Sequence, residues 1–226
     1  MTLTHIYFDA GNTLVYVNLG FVSEALARRG VSVSTAALWS AEHRVRVELD
    51  DPGVVKATND IGRWNLYFEK ILALTGVGEV AADVLREMRA YHSKSNLWEV
   101  VPPEVRTSLD ALRGRFRMSV ISNANGTVRD KLERVGLAGY FETILDSHEE
   151  GVEKPDPAIF RRAMERTGAA PSESLYVGDM YHIDVVGARA AGMEAVLLDP
   201  AGHHAGKDVR RLPTIAGLPD LIDGLS

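Results

Sequence analysis

The hydrophobic rhythm of the chain changes twice. It opens on a short apolar run, "HIYF", which ends at Asp9 and passes into a turn-forming stretch, Gly11, Asn12 and Thr13. Over residues 20–95 the apolar positions recur at helical spacing only. Leu38, Ala41, Val45 and Leu49 share one face after a Ser34 cap. Ile61, Trp64, Phe68, Ile71 and Leu72 share a second, and Val80, Val84, Leu85, Met88 and Tyr91 a third. These faces predict a small helical bundle. From about residue 98 short apolar runs alternate with amphipathic ones. Strands are predicted over 117–122, 141–147, 174–179 and 194–199, and helices over 127–136, 156–168 and 184–192. Such alternation makes a parallel sheet with helices on both faces. The opening strand belongs to that sheet, yet its successor arrives only after the helical stretch. The expected architecture is a Rossmann-like α/β core of residues 1–15 and 99–226, interrupted by an all-helical cap of residues 16–98.

Composition narrows the function. The 226 residues, 46% hydrophobic and 25% charged, suit a soluble globular protein. A net charge of −6 gives no general attraction for nucleic acid or an anionic membrane, so any anion site must be local. The absence of cysteine excludes disulfides, thiolate metal sites and a cysteine nucleophile. No long apolar stretch follows a basic one at the start, and no eighteen apolar residues run together. The expectation is a cytoplasmic protein, monomer or weak dimer, with a small-molecule partner and neither nucleic acid nor membrane.

Four polar clusters follow predicted strand ends: Asp9, "SNANG" (122–126), "EKPDP" (153–157) and "GDMYHID" (178–184). Ligands of open parallel sheets bind beyond the carboxyl ends of the strands, near a reversal of strand order. Taken singly, Ser122 fits ordinary turn chemistry and Lys154 a solvated charge. Asp184 on its own fits a helix cap. Together at one edge the clusters define a site. Asp9 is the hardest to explain otherwise, because a carboxylate closing an interior apolar strand needs a partner.

The order and spacing of these clusters resemble the haloacid dehalogenase superfamily of hydrolases, most of which are phosphatases. The first motif of that family is a strand followed by Asp-x-Asp-Gly-Thr, here Asp9, Ala10, Gly11, Asn12 and Thr13. The second matches Ser122 with Asn123, the lysine matches Lys154, and the acidic fourth motif matches Gly178, Asp179 and Asp184. The resemblance implies that Asp9 attacks phosphorus and carries a covalent aspartyl-phosphate. It implies Mg²⁺ held by Asp9, the Gly11 carbonyl and Asp179, with Asp184 orienting that shell from behind. Ser122 and the Asn123 amide would hold phosphate oxygens, and Lys154 would offset charge on Asp9 and the transferring group of a small phosphorylated substrate.

Two positions depart from the pattern, and one of them carries chemistry. The second Asp of the family's first motif protonates the leaving oxygen and then activates water; here it is Gly11. General acid–base catalysis is worth about 10²–10⁴-fold. Dehalogenases of the superfamily also lack this Asp, because a departing halide needs no proton, and they need no metal. A 2-haloacid dehalogenase is therefore the rival reading, and a binding module with reduced catalysis a third. The paired acids of "GDMYHID" favour the phosphatase. Asn12, where the family has glycine, is a residue type that tolerates positive φ. Elsewhere, Trp64 and Phe68 are expected in the cap core, and Arg63 and Asn59 are candidates for reaching substrate. "RVR" (44–46) is expected to be a solvated face and "GHHAGK" (202–207) a mobile surface loop.

Overall fold

The computed structural model describes residues 3–58 and 60–224. The strands among them are β1 (His5–Phe8), β2 (Tyr16–Val17), β3 (Trp98–Val100), β4 (Arg117–Ser122), β5 (Thr143–Asp146), β6 (Ser174–Gly178), β7 (Glu194–Leu198) and β8 (Arg210–Leu212). The chain divides into two compact units, residues 1–15 with 101–226, and residues 16–100.

In the first unit six strands form one sheet in the order β5-β4-β1-β6-β7-β8, all pairs parallel. Strand β1 is buried at all four positions, as a strand covered on both faces must be. It pairs with β4 on one side and β6 on the other, with Phe8 opposite Val120 and Val177. Strand order therefore reverses at β1, and the polar clusters after β1, β4 and β6 meet at one edge. One face of the sheet, including Tyr7, Ile121 and Tyr176, packs on Phe160 and Ala163 from the helix Pro157–Thr167.

Several boundaries differ from the sequence expectation. The strand expected over 141–147 forms only as Thr143–Asp146, because Phe141 closes the short 3₁₀ turn Ala138–Tyr140 and Asp146 caps the helix Ser147–Glu150. The helix expected over 184–192 starts earlier, as a wide π-type turn Tyr181–Val186, and continues as Gly187–Ala190. Strand β8 was not predicted; its "RRL" has the charged, non-alternating pattern of an edge strand.

The second unit is helical. Its helices are Leu19–Ala27, Thr35–Leu49, Pro52–Ala57, Asp60–Leu74 and Ala81–Ser95, with β2 and β3 as an antiparallel ribbon. Ser34 caps the second helix as expected, its Oγ accepting from Ala37 N at 3.2 Å. Leu38, Val45, Phe68, Ile71, Val84 and Met88 are buried from the three predicted faces. Asn59 and the Ile61 side chain lie outside the described residues. Trp64 is half-buried and packs on Phe68 with ring centroids 4.7 Å apart.

One expectation is corrected here, and one candidate residue is placed. "RVR" is not wholly a solvated face. Arg44 is exposed, but Arg46 is buried and donates to the fully buried Glu42 at 2.8 Å, and Tyr67 OH donates to the same carboxylate at 2.9 Å. A charge that far from water needs these partners. Arg63 is also buried, with its guanidinium donating to the carbonyls of Thr58 (2.9 Å) and Val55 (3.4 Å), so it ties together the chain ahead of its own helix.

Candidate active site

Asp9 is the first residue past β1, and its N–H donates to Val177 O of β6 at 2.8 Å. Ser122 ends β4 and Asp179 follows β6 directly. Lys154 lies in the connection between the helices Ser147–Glu150 and Pro157–Thr167. All four are buried. The parallel ladder is what brings residues from distant parts of the sequence to one edge.

Lys154 is the electrostatic centre. Its ammonium donates to Asp9 Oδ1 (2.7 Å), Asp184 Oδ1 (2.7 Å) and Tyr176 OH (2.8 Å). An ammonium has three hydrogens and no acceptor, so these partners engage it fully. Asp184 is engaged on both oxygens. Oδ2 accepts from the N–H groups of Asp179 (3.1 Å) and Met180 (3.0 Å), while Oδ1 faces Lys154 and Tyr176. It is no simple helix cap, for it sits inside the wide turn and fixes the chain that carries Asp179.

Charge and burial compete here. Burial pushes Asp9 up to about 6, against the pull of the Lys154 charge. Burial works against the Lys154 ammonium too, yet Asp184 and Asp9 outweigh it and hold the group above its ordinary range. Burial, with the charges of Asp184 and Asp9, keeps the Tyr176 phenol protonated well beyond neutral pH.

The loops at this edge are latched from the sheet. The Asn123 side chain pairs reciprocally with the Lys154 backbone, accepting its N–H at 2.8 Å and donating to its carbonyl at 2.9 Å. Asp146 accepts from Gly126 N (2.9 Å) and Val128 N (3.2 Å), and Ser147 Oγ meets Ala124 N at 3.1 Å. Sequence reading missed Tyr176, Asp146 and Ser147. Tyr176 carried a signal, since a hydroxyl inside an apolar buried strand requires a polar partner. The other two sat at a strand end that carried no recognised motif.

The turn after β1 shows where the backbone is constrained. Positive φ falls on Asn12 (φ 52°), while Gly11 is not in that region. Gly11 bridges to Val15, and Asn12 N donates to Val15 O at 2.8 Å. The "GHHAGK" expectation needs correction at one residue. His203 is exposed, but His204 is buried, its backbone N–H reaches Asp199 Oδ2 at 2.9 Å, and its ring stacks on Tyr181. Asp199 gathers the loop by accepting from the backbone N–H groups of His203 (3.0 Å) and His204 (2.9 Å).

The donor set fits a hard divalent cation. Asp9, Asp179 and Asp184 each offer an oxygen, and these atoms all lie within 4.8 Å of one another. Three buried carboxylates converge here, and Lys154 pairs with two of them, Asp9 and Asp184. Oxygen donors of this kind select Mg²⁺ or its like over softer metals.

The profile of the haloacid dehalogenase-like hydrolase family matches residues 3–192. The chain belongs to this family. Among haloacid dehalogenase-like relatives, it is similar to a ribulose-1,5-bisphosphate 5-phosphatase of Halopiger xanaduensis, 33% identical over 138 residues, covering 60% of this chain and 58% of that protein. It is also similar to a glyceraldehyde 3-phosphate phosphatase of Methanopyrus kandleri, 33% identical over 195 residues, covering 84% and 82%. The chain spans 61% of a haloacid dehalogenase-like hydrolase domain-containing protein 3 of Bos taurus and 54% of a glyceraldehyde 3-phosphate phosphatase of Methanothermobacter thermautotrophicus, less than two thirds of either. Among solved structures, a 2-haloacid dehalogenase from Pseudomonas syringae superposes with TM-score 0.62 at 26% identity, over 99% of this chain and all of that one.

Proposed function

We propose that this hydrolase is a Mg²⁺-dependent phosphoric monoester hydrolase that acts through Asp9 on a small phosphorylated metabolite. The observation that carries the reading is the convergence of Asp9, Asp179 and Asp184 oxygens within 4.8 Å of one another, beside Lys154. Such a convergence of oxygen donors is of use to a cation that receives phosphate, and of none to a halide leaving carbon. Phosphatases among the relatives support it.

Asp9 attacks phosphorus, the bond from phosphorus to the ester oxygen breaks, and water then attacks the aspartyl-phosphate to release inorganic phosphate and restore Asp9. Lys154 holds Asp9 in its anionic form and in place. Ser122 and the Asn123 amide receive phosphate oxygens. Asp9, Asp179 and the Gly11 carbonyl would hold the cation, and Asp184, already engaged on both oxygens, would steady Asp179 from behind. When bound, Mg²⁺ lowers the repulsion between the carboxylates and the phosphate dianion.

A dehalogenase is the second reading, favoured by Gly11 and by the Pseudomonas syringae likeness. A screen of phosphate monoesters and 2-haloacids, each with and without Mg²⁺, separates the two. Mg²⁺-dependent phosphate release supports the phosphatase. Halide release that survives chelation replaces it with the dehalogenase.

A further inference from the structure

We propose that Tyr176 is a positioning residue, whose hydroxyl fixes the Lys154 ammonium against Asp9 and ties it to the strand that carries Ser122. The kinetic part rests on the phosphatase reading; the geometry does not.

The Tyr176 oxygen lies 2.8 Å from Lys154 Nζ. The ammonium can only donate, so the phenol accepts there. Its single proton must then go to another acceptor, and two stand at 3.1 Å: the carbonyl of Ile121 and Asp184 Oδ1. Ile121 immediately precedes Ser122 on β4, while Tyr176 itself sits on β6. One hydroxyl thus joins the lysine loop to both strands that flank β1. The ring has little freedom to drift, since it is fully buried and meets Phe160 edge-on at 5.0 Å and 74°.

Lys154 is consequently held at both ends. Asn123 pins its backbone, and Tyr176 completes the cage around its ammonium. Without the hydroxyl, one buried N–H loses its acceptor and the ammonium must lean toward Asp184 or Asp9 to recover it. Either movement changes how Asp9 is presented to phosphorus, while the phosphate-binding groups remain.

The test is Tyr176→Phe, which keeps the ring and removes the oxygen. With p-nitrophenyl phosphate, kcat should fall about tenfold or more, the scale of a lost hydrogen bond to a charged group. KM and the half-saturating Mg²⁺ concentration should stay nearly unchanged. A kcat within about twofold of the parent overturns the proposal. The second readout is independent of activity. A caged ammonium exchanges slowly enough to show a ¹⁵N–¹H cross-peak, assigned by its loss in Lys154→Arg. Tyr176→Phe should broaden or abolish that peak, and an unaltered peak overturns the proposal. Should the variant not fold, the parent decides through a nuclear Overhauser contact between the Lys154 ammonium and the Tyr176 hydroxyl proton; its absence overturns the assignment. A parent without phosphatase activity refutes the functional reading alone, because the cross-peak still tests the cage.

Discussion

A Cβ on Gly178 would stand 2.4 Å from Asp184 Cγ, so only glycine leaves Asp184 the place it holds. Gly178→Ala should push Asp184 off Lys154 and off the N–H groups of Asp179 and Met180. Overpacking of this kind costs about 1–3 kcal/mol. Chemical denaturation should show that loss, with activity falling further than stability predicts. Unchanged turnover in the variant would mean that Asp184 does not organise the site.

Cation binding should be visible without turnover. Mg²⁺ is expected to raise the melting temperature of the parent, since it binds the folded carboxylate cluster and not the dispersed chain. Asp179→Asn should remove most of that rise while leaving the metal-free melting temperature similar or higher, because a buried negative charge is gone. Calorimetric scans with Mg²⁺ and with chelator check both.

The same rise should depend on pH. Burial holds Asp9 at about 6 in the folded, metal-free protein, against 3.8 as its ordinary value. Between these values the folded chain binds more protons than the unfolded one, so Asp9 subtracts stability as pH rises through the window. Mg²⁺ needs the ionised form. Its thermal shift should therefore be larger near pH 7 than near pH 5. An equal shift at both would place the cation away from Asp9.

Gly11 predicts a leaving-group preference. Aryl phosphates with acidic phenols should turn over well and alkyl phosphates poorly, with a pre-steady-state burst as Asp9 phosphate accumulates. Because Gly11 is outside the positive-φ region, the backbone accepts a side chain there. Gly11→Asp should then favour alkyl esters and diminish the burst. Rapid hydrolysis of an alkyl phosphate by the parent, without a burst, would show that another group supplies the proton.

In the helical unit, Glu42→Ala leaves Arg46 buried without its carboxylate and should cost about 3–5 kcal/mol. Replacing both residues by apolar ones of similar volume should recover much of that loss. Denaturation midpoints of the single and double variants measure it.

Much of this was readable from residue order alone, for identifiable reasons. Alternating runs gave the parallel sheet, and Asp9, Ser122, Lys154 and Asp179 each followed a strand or closed a connection at its carboxyl edge. What escaped was contact between elements. Nothing in "EKPDP" or "SLYVGD" says that Tyr176 meets Lys154, because that pairing depends on sheet register and on the path of a loop. Arg46 and His204 looked solvated since charge suggests exposure, and their partners, Glu42 and Asp199, make the exception only in three dimensions. The ends of elements failed where side chains cap them, as Asp146 does.

The ribbon of β2 and β3 has its own consequence. Tyr16 pairs with Val100 and Val17 with Trp98, so the helical insertion begins and finishes on hydrogen-bonded neighbours. Such an insertion spans no gap in the chain that it interrupts, and its length is nearly free to vary. It is a cassette. A change in its length, or its exchange at that one seam, leaves the order of the sheet strands untouched.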